Sequence, residues 1–333
     1  MDQRLALALA LSIASTARAA APAASEPPPP FALVQTIPLP GVTGRCDHMT
    51  VDLRGGRLFV AALENRSVEV VDFHEGRRVL SLERVGEPQG VAFLPWSRRL
   101  VVGDGSGGMV YVFDDTLARL PAVPLWGDAD NIHLDSLAHR AYVAYGEGGL
   151  VALDPQARRV VATFELGGHP EGFALEHAGA RIFASQPDHS RIVVFDRRKG
   201  RVVARWPLEP GSANFPVALD EPGHRLFVGC RRPMVVRAID TRTGARIAEL
   251  AIAADVDDLF WDGPRRRLYA SCGEGAVEVF EGDSGGALVR RGRIATRTGA
   301  RTSLYVPELG WLFVAVPANE AATAEIRVYA ARP

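Results

Sequence analysis

Two groups of residues in this chain are of types that do chemistry. The first is "GDSGG", residues 282–286, where Ser284 would be a nucleophile if a base lay within hydrogen-bond reach and a third group held that base. The second is a set of carboxylates, Asp47, Asp130, Glu171 and Asp257, each at the same place in a phrase that recurs along the chain. Carboxylates that converge repel one another, which raises their pKa values and favours a bound cation or a neutralising arginine. What either group can do depends on the elements that carry it.

The recurring phrase is an apolar strand, a polar turn, a second strand, a Gly-rich or polar loop, a third strand ending in an acid, and a basic turn. The second strands read "RLFVA" from Arg57, "RLVVG" from Arg99, "RAYVA" from Arg140, "RIFAS" from Arg181, "RLFVG" from Arg225, "RLYAS" from Arg267 and "WLFVA" from Trp311, seven copies in all. The third strands end at Asp72, Asp114, Asp154, Asp196, Asp240 and Glu281, at intervals of 42, 40, 42, 44 and 41 residues. Short alternating strands at that period, bounded by Gly, Pro and Asp, are four-stranded propeller blades, and the alternation excludes a helical repeat. The expected fold is all-β, a single seven-bladed β-propeller of four-stranded antiparallel blades over 31–333. Its blades are expected at about 45–84, 86–125, 127–166, 167–208, 211–252, 253–294 and 296–330. The last copy stops after its third strand, and "FALVQTIPL" at 31–39 resembles a fourth strand, so it is expected to close the ring. Without it the seventh blade would present an open edge.

The 333 residues are 47% apolar, and 38 basic against 39 acidic side chains leave a net charge of −1, so the total charge draws the chain to neither nucleic acid nor membrane. Arg4, the apolar run from Leu5 to Ile13 and the A-x-A signal at Ala17–Ala19 read as a signal peptide over 1–20, followed by a Pro-rich linker over 21–30. The run is far shorter than the roughly 20 apolar residues that span a bilayer. The mature protein is therefore expected to be periplasmic or secreted, with no membrane span. Cys46, Cys230 and Cys272 are the only cysteines; their odd count and lack of C-x-x-C spacing indicate neither a disulfide scaffold nor a zinc knot. Cys230 and Cys272 fall at matching places in adjacent blades about 10 Å apart, too far for a disulfide, and read as small buried residues.

The stretch "ENRSVEVVD…GRRV…GEPQGVAFLPWSRRLVV" resembles the YVTN repeat of YncE-like bacterial propellers, with the tetrapeptide itself degraded to "LFVAALEN" and its relatives. The resemblance covers roughly residues 45–330 and implies the propeller fold. The "WD" at Trp261 and Asp262 closes a first strand rather than a third, against a WD40 reading, and the Trp-docking repeats of quinoprotein propellers are absent. YncE-like relatives include periplasmic single-strand DNA binders, so the resemblance also implies a nucleic-acid reading.

In a propeller the first strands line the channel, and their starts share one face, the top, with the loops between second and third strands. "GDSGG" then falls in a bottom turn between third and fourth strands, as "DRRKGRVV" and "DTRTGARI" do in other blades. No histidine has the "AAHC" setting of trypsin-like proteases, and His224 lies on a turn of the neighbouring blade. Ser284 reads as a turn residue. The bottom also collects Arg54, Arg57, Arg77, Arg78, Arg98, Arg99, Arg140, Arg158, Arg159, residues 197–201 and Arg265 to Arg267, a solubilising rim or a contact for an anionic polymer. It lacks interleaved aromatics on which bases could stack.

Aligning the first strands on their last residue puts Asp47, Gln89, Asp130, Glu171, Phe215, Asp257 and Thr302 in one column at the top mouth. His48, Asn131, Asn214, Asp258, Arg301 and His169 flank it, with Asp104, Tyr145, Gln186, Cys230 and Cys272 at the ends of the second strands. The candidate ligand-binding set is Asp47, His48, Gln89, Asp130, Asn131, His169, Glu171, Asn214, Asp257, Asp258 and Arg301. The candidate metal set is Asp47, Asn131, Glu171, Asn214 and Asp257. Their oxygen donors suit Ca²⁺ or Mg²⁺, whereas adding His48 or His169 would suit Zn²⁺ or Mn²⁺. The leading expectation is an exported binding protein whose mouth takes a small polar ligand, a divalent metal or a partner peptide. The alternative is a lactonase- or esterase-type hydrolase, by analogy with six-bladed metal-dependent lactonases that gather Glu, Asn and Asp around a channel Ca²⁺. Nucleic-acid or anionic-polymer binding by the Arg-rich bottom stands third.

Overall fold

The computed structural model describes residues 29–332 except 126, 147 and 283–286. The signal-peptide reading, nearly all of the Pro-rich linker and Ser284 lie outside the described residues. Strands account for the architecture. Runs such as "RLFVAA" and "SVEVVD" are rich in β-branched and aromatic residues, which suit a pleated, half-buried surface. The first blade joins β2 (Met49–Asp52), β3 (Arg57–Ala62), β4 (Ser67–Asp72) and β5 (Arg77–Glu83) in sequence order. Five further blades repeat this order: β6–β9 from Pro88, β10–β13 from Ala129, β14–β17 from Phe173, β18–β21 from Asn214 and β22–β25 from Val256.

The seventh blade departs from sequence order. It consists of β26 (Ser303–Val306), β27 (Trp311–Val316), β28 (Ala324–Ala331) and, as its outer strand, β1 (Phe31–Leu39). β1 runs antiparallel to β28 from Phe31 opposite Ala331 to Leu39 opposite Ala324, with one bulge after Leu33. The fold is the expected seven-bladed propeller, closed by the N-terminal strand.

The core is seven apolar clusters, each shared by two neighbouring blades. Phe59 and Phe93 stack at 5.7 Å between the first and second blades, and Phe183 and Trp206 pack near Leu226 and Val228 between the fourth and fifth. The last cluster joins Ile37, Leu39 and Phe313 of the seventh blade to Leu58, Val60 and Phe73 of the first. Each blade thus finds the apolar partner for both faces only within a closed ring. Full burial of one such side chain contributes about 1.5–3 kcal/mol.

At the bottom, the basic turns are clasped by acids at the ends of the first or third strands. Asp52 accepts from Arg57 Nε and Nη2 at 3.1 and 2.7 Å, Asp220 from Arg225 at 2.9 and 2.7 Å, and Glu176 from Arg181 at 2.9 and 2.5 Å. Arg140 pairs with Asp154, Arg197 with Asp135, Arg265 with Asp262 and Arg267 with Glu281. Much of the positive charge counted from the sequence is therefore neutralised within the rim.

Candidate functional site

The first strands do not enter the channel as regular ladders. Their register slips between Pro88 and Val91, Ala129 and Ile132, Asn214 and Val217, and Val256 and Asp258. In the first blade, Asp47 N donates to Ala61 O at 2.8 Å while Ala61 N donates to His48 O at 2.9 Å. In the fourth, Glu171 N and Gly172 O bond Ser185 in the same way, at 3.0 and 2.7 Å. A bulge sets two residues opposite one and re-aims their side chains. Consecutive residues, such as Asp47 with His48 and Asp257 with Asp258, therefore both line the channel, which strict alternation forbids.

The result is a cavity of about 560 Å³ at the mouth, lined by the charged tops of the first strands and floored by Ile132, Phe173, Val217, Leu259 and Leu304. Two glycines let the inner strands approach closely enough to build it. A Cβ on Gly90 would lie 2.0 Å from Asp130 O, and one on Gly172 would lie 2.5 Å from Phe215 O.

Of the expected ligand set, all but His169 and Asn214 line this cavity. His169 stands just behind the lining, with Nε2 3.9 Å from Asp130 Oδ2, an ion-pair contact beyond hydrogen-bond length. Asn214 is fully buried in the blade wall, where Nδ2 donates to Ser185 Oγ at 2.7 Å and Arg191 O at 3.2 Å. The metal set read from the sequence is thus not assembled. Asn214 points elsewhere, Asn131 donates to Glu171 O at 3.3 Å, and Asp257 is held by two arginines.

Those arginines divide the mouth. On one side Arg231 bonds Asp257 and lies 3.3 Å from Asp255, with its guanidinium 3.9 Å from the centre of the Phe215 ring. Arg301 donates to both Asp255 oxygens at 2.8 Å, and its Nε lies 3.1 Å from Asp257. The opposite side carries Asp47, Asp130 and Glu171 beside His48 and His169, with Arg45 Nη1 3.6 Å from Asp47. No hydrogen bond reaches any of these three carboxylates among the described residues, and the buried Nδ1 of His48 has no partner either. Two triads of donor atoms form here, Asp47–His48–Asp130 and Asp130–His169–Glu171, each with its atoms within 4.8 Å of one another.

The titrations follow from this crowding. Burial pushes Glu171 up to about 7, with Asp130 adding to the rise and His169 opposing it. Burial and then Asp257 push Asp258 up to about 7, against His48 and the Ser303 amide. Asp130 is raised by burial against the pull of His169, and Asp257 is raised by burial against Arg301. The Asp130 carboxylate lifts His169 to about 9 in spite of burial. Burial pulls His48 down, but Asp47 and Asp130 outweigh it.

Sequence reasoning missed Arg231, Asp255, Arg45 and Ser303. Arg231 follows Cys230 at the end of the strand "RLFVG", and its position at a strand top was the available signal. Asp104 and Gln186, expected near the mouth, instead brace loops. Asp104 accepts from the Glu87 and Ser106 amides at 3.0 Å, and Gln186 bridges Arg191 and Gly168. Cys46, Cys230 and Cys272 are buried free thiols, and burial pushes the last two up to about 11 and about 12.

The geometry defines a closed propeller with a polar pocket at one end of its channel, and comparison with known proteins bears on the class. No family model matches the chain. It is 26% identical over 140 residues to the uncharacterized protein YncE of Salmonella typhimurium, a match over 40% of this chain and 39% of that protein. Together with the blades, this supports the YncE-like resemblance read from the repeats. Among solved structures, a chain of the mitotic checkpoint complex shares the fold with a TM-score of 0.77 and 16% identity, over 97% of this chain and 99% of its own. A chain of Kuenenia stuttgartiensis hydrazine synthase gives 0.69 and 17%, over 84% and 96%. At those identities the likeness is one of fold. Among the described residues no helix is long and apolar enough to cross a membrane.

Proposed function

We propose that this protein is an exported propeller-type binding protein that receives a cationic ligand in the mouth of its channel. One observation carries the reading: Asp47, Asp130 and Glu171 line a cavity of about 560 Å³ and accept no hydrogen bond among the described residues, while the nearby guanidiniums of Arg231 and Arg301 are engaged by Asp255 and Asp257. Carboxylates crowded into a largely enclosed mouth repel one another, and a cation is the partner that offsets the cost. An anionic ligand would meet these acids, where the nearby arginine is Arg45, 3.6 Å from Asp47, and would find Arg231 and Arg301 already engaged. The clasped arginines at the bottom likewise favour the mouth over the basic rim as the functional face.

The test is a thermal-shift and calorimetric screen of the purified chain against spermidine, choline, an oligo-lysine peptide and divalent ions. Binding by at least one of these, weakened tenfold or more in Asp130→Asn, is the expected result. Wild-type protein that binds none of them, or a variant that binds as well as wild type, overturns the reading. Export is tested separately by fractionating cells that express the full chain, where retention in the cytoplasm counts against it.

A further inference from the structure

We propose that the mouth holds one borderline divalent transition-metal ion, of the Zn²⁺ or Mn²⁺ class, with Asp130, His169 and Glu171 as its protein ligands. This deepens the cationic-ligand reading and rests on it. Four observations converge on that triad, and they differ in kind.

The first is distance. The donor atoms of Asp130, His169 and Glu171 lie within 4.8 Å of one another, and ligands around such an ion at about 2.0–2.2 Å stand up to about 4 Å apart. Modest side-chain rotation closes the difference. Three protein ligands also leave a coordination position facing the cavity.

The second is the setting of the imidazole. His169 Nδ1 lies 2.6 Å from Gly146 O. A carbonyl only accepts, so Nδ1 carries a hydrogen and Nε2 is directed to Asp130 Oδ2 at 3.9 Å; an ion bound there displaces the Nε2 proton that the acid otherwise holds on the ring. Metal-binding histidines are oriented in this way, with one ring nitrogen tied to a carbonyl or carboxylate and the other presented to the ion.

The third is an unsatisfied group. Asp130 is 8% exposed, lines the cavity and meets the His169 ring at 3.9 Å, beyond hydrogen-bond length, while the buried Nδ1 of neighbouring His48 has no hydrogen-bond partner. The register slip between Ala129 and Ile132 and the close approach at Gly90 hold the Asp130 backbone in place, so the acid cannot withdraw into a donor-rich wall.

The fourth is donor chemistry. One imidazole with two carboxylates, and Asp47 with His48 bordering Asp130, is a mixed nitrogen and oxygen set. Ca²⁺ and Mg²⁺ favour all-oxygen shells, whereas Zn²⁺ and Mn²⁺ accept imidazole readily. The preference for Ca²⁺ or Mg²⁺ read from the sequence depended on Asn214 and Asp257, and neither is free to ligate.

The experiment uses the full-length processed protein, stripped with a chelator and titrated calorimetrically with Zn²⁺, Mn²⁺, Ca²⁺ and Mg²⁺ at low salt. The expected result is one Zn²⁺ or Mn²⁺ per chain, bound at least tenfold more tightly than Ca²⁺ or Mg²⁺. Asp130→Asn and His169→Gln should each reduce that affinity a hundredfold, and Asn214→Ala should leave it unchanged. Because a variant could lose its fold, X-ray absorption of Co²⁺-loaded wild type supplies a second readout: mixed nitrogen and oxygen coordination is expected, and an all-oxygen shell overturns the proposal. Binding of spermidine or oligo-lysine through Asp130, with no Zn²⁺ or Mn²⁺ binding, also overturns it while leaving the mouth as a cation site. Failure of every cation removes both readings.

Discussion

Asp258 of the sixth blade accepts the backbone amide of Ser303 in the seventh at 2.6 Å, so a carboxyl pushed up to about 7 sits on the seam between two blades. In the unfolded chain the same carboxyl titrates near 4. Its folded pKa is the higher, so the native state binds more protons between about pH 4 and pH 7. The stability it contributes is therefore lost as pH rises through that window. With chelator present, Tm should fall from pH 5 to pH 8. Asp258→Asn, which keeps an acceptor for the amide, should flatten that slope and gain at least ~1 kcal/mol relative to wild type at pH 8. Calorimetric melting at several pH values checks this, and equal slopes for both proteins contradict it.

The ring was legible in the sequence because blade identity is written twice, in the period of the acids that end third strands and in the alternation of strands such as "RLFVA". β1 was legible as the missing fourth strand for the same reason. The mouth was legible only in part. The column from Asp47 to Asp257 depends on alignment alone, but the bulges that bring His48 and Asp258 into the same cavity are properties of the hydrogen-bond ladder. Asn214 was misplaced because it occupies the first residue of its bulge and turns into the wall. At the bottom, "DLRGGR", "EHAGAR" and "DEPGHR" carried the clasp openly, an acid five residues before an arginine. Counting only the basic residues concealed it.

Ring closure rests on β1, whose Ile37 is fully buried in the cluster shared by the seventh and first blades. Ile37→Ala removes apolar area and leaves a cavity between blades, so it should cost about 2–5 kcal/mol. Denaturant unfolding measures the loss. A change below about 1 kcal/mol would mean that β1 is not part of the cooperative unit.

The clasp between Asp220 and Arg225 involves a nearly buried acid that also accepts the Gly223 amide at 3.1 Å. Asp220→Ala removes the acceptor of the Gly223 amide and the carboxylate that Arg225 grips with two N–H groups, for an expected loss of about 1.5–3 kcal/mol. Cation binding at the mouth should not change, since the pair lies at the opposite end of its blade. Unfolding and titration of the same preparation separate the two effects.

Gly90 has the reverse signature. Its Cβ would lie 2.0 Å from Asp130 O, so Gly90→Ala must shift the inner strand of the third blade. Overpacking of this kind costs about 1–3 kcal/mol. Because the displaced backbone carries Asp130, cation affinity should fall along with stability, as titration above the detection limit of the wild type would register. Unchanged affinity would separate Asp130 from the site.

Arg231 and Asp257 should show strong coupling, because the acid is sequestered from solvent and depends on its two arginines. Asp257 keeps only Arg301 if Arg231 is lost, and Arg231 would retain Asp255, the Val256 carbonyl at 3.0 Å and the Phe215 face. The acid is therefore the more dependent partner. Arg231→Met should destabilise more than Asp257→Asn, since the first leaves a buried charge under-compensated and the second leaves an arginine with other contacts. A double-mutant cycle on unfolding free energies should give a coupling of about 1–3 kcal/mol, reduced little by salt because the pair is mostly sequestered from solvent. A coupling near zero would mean that the pair does not hold the mouth in shape, and the division of the mouth into an arginine-clasped wall and a wall of acids without hydrogen bonds would then have no energetic basis.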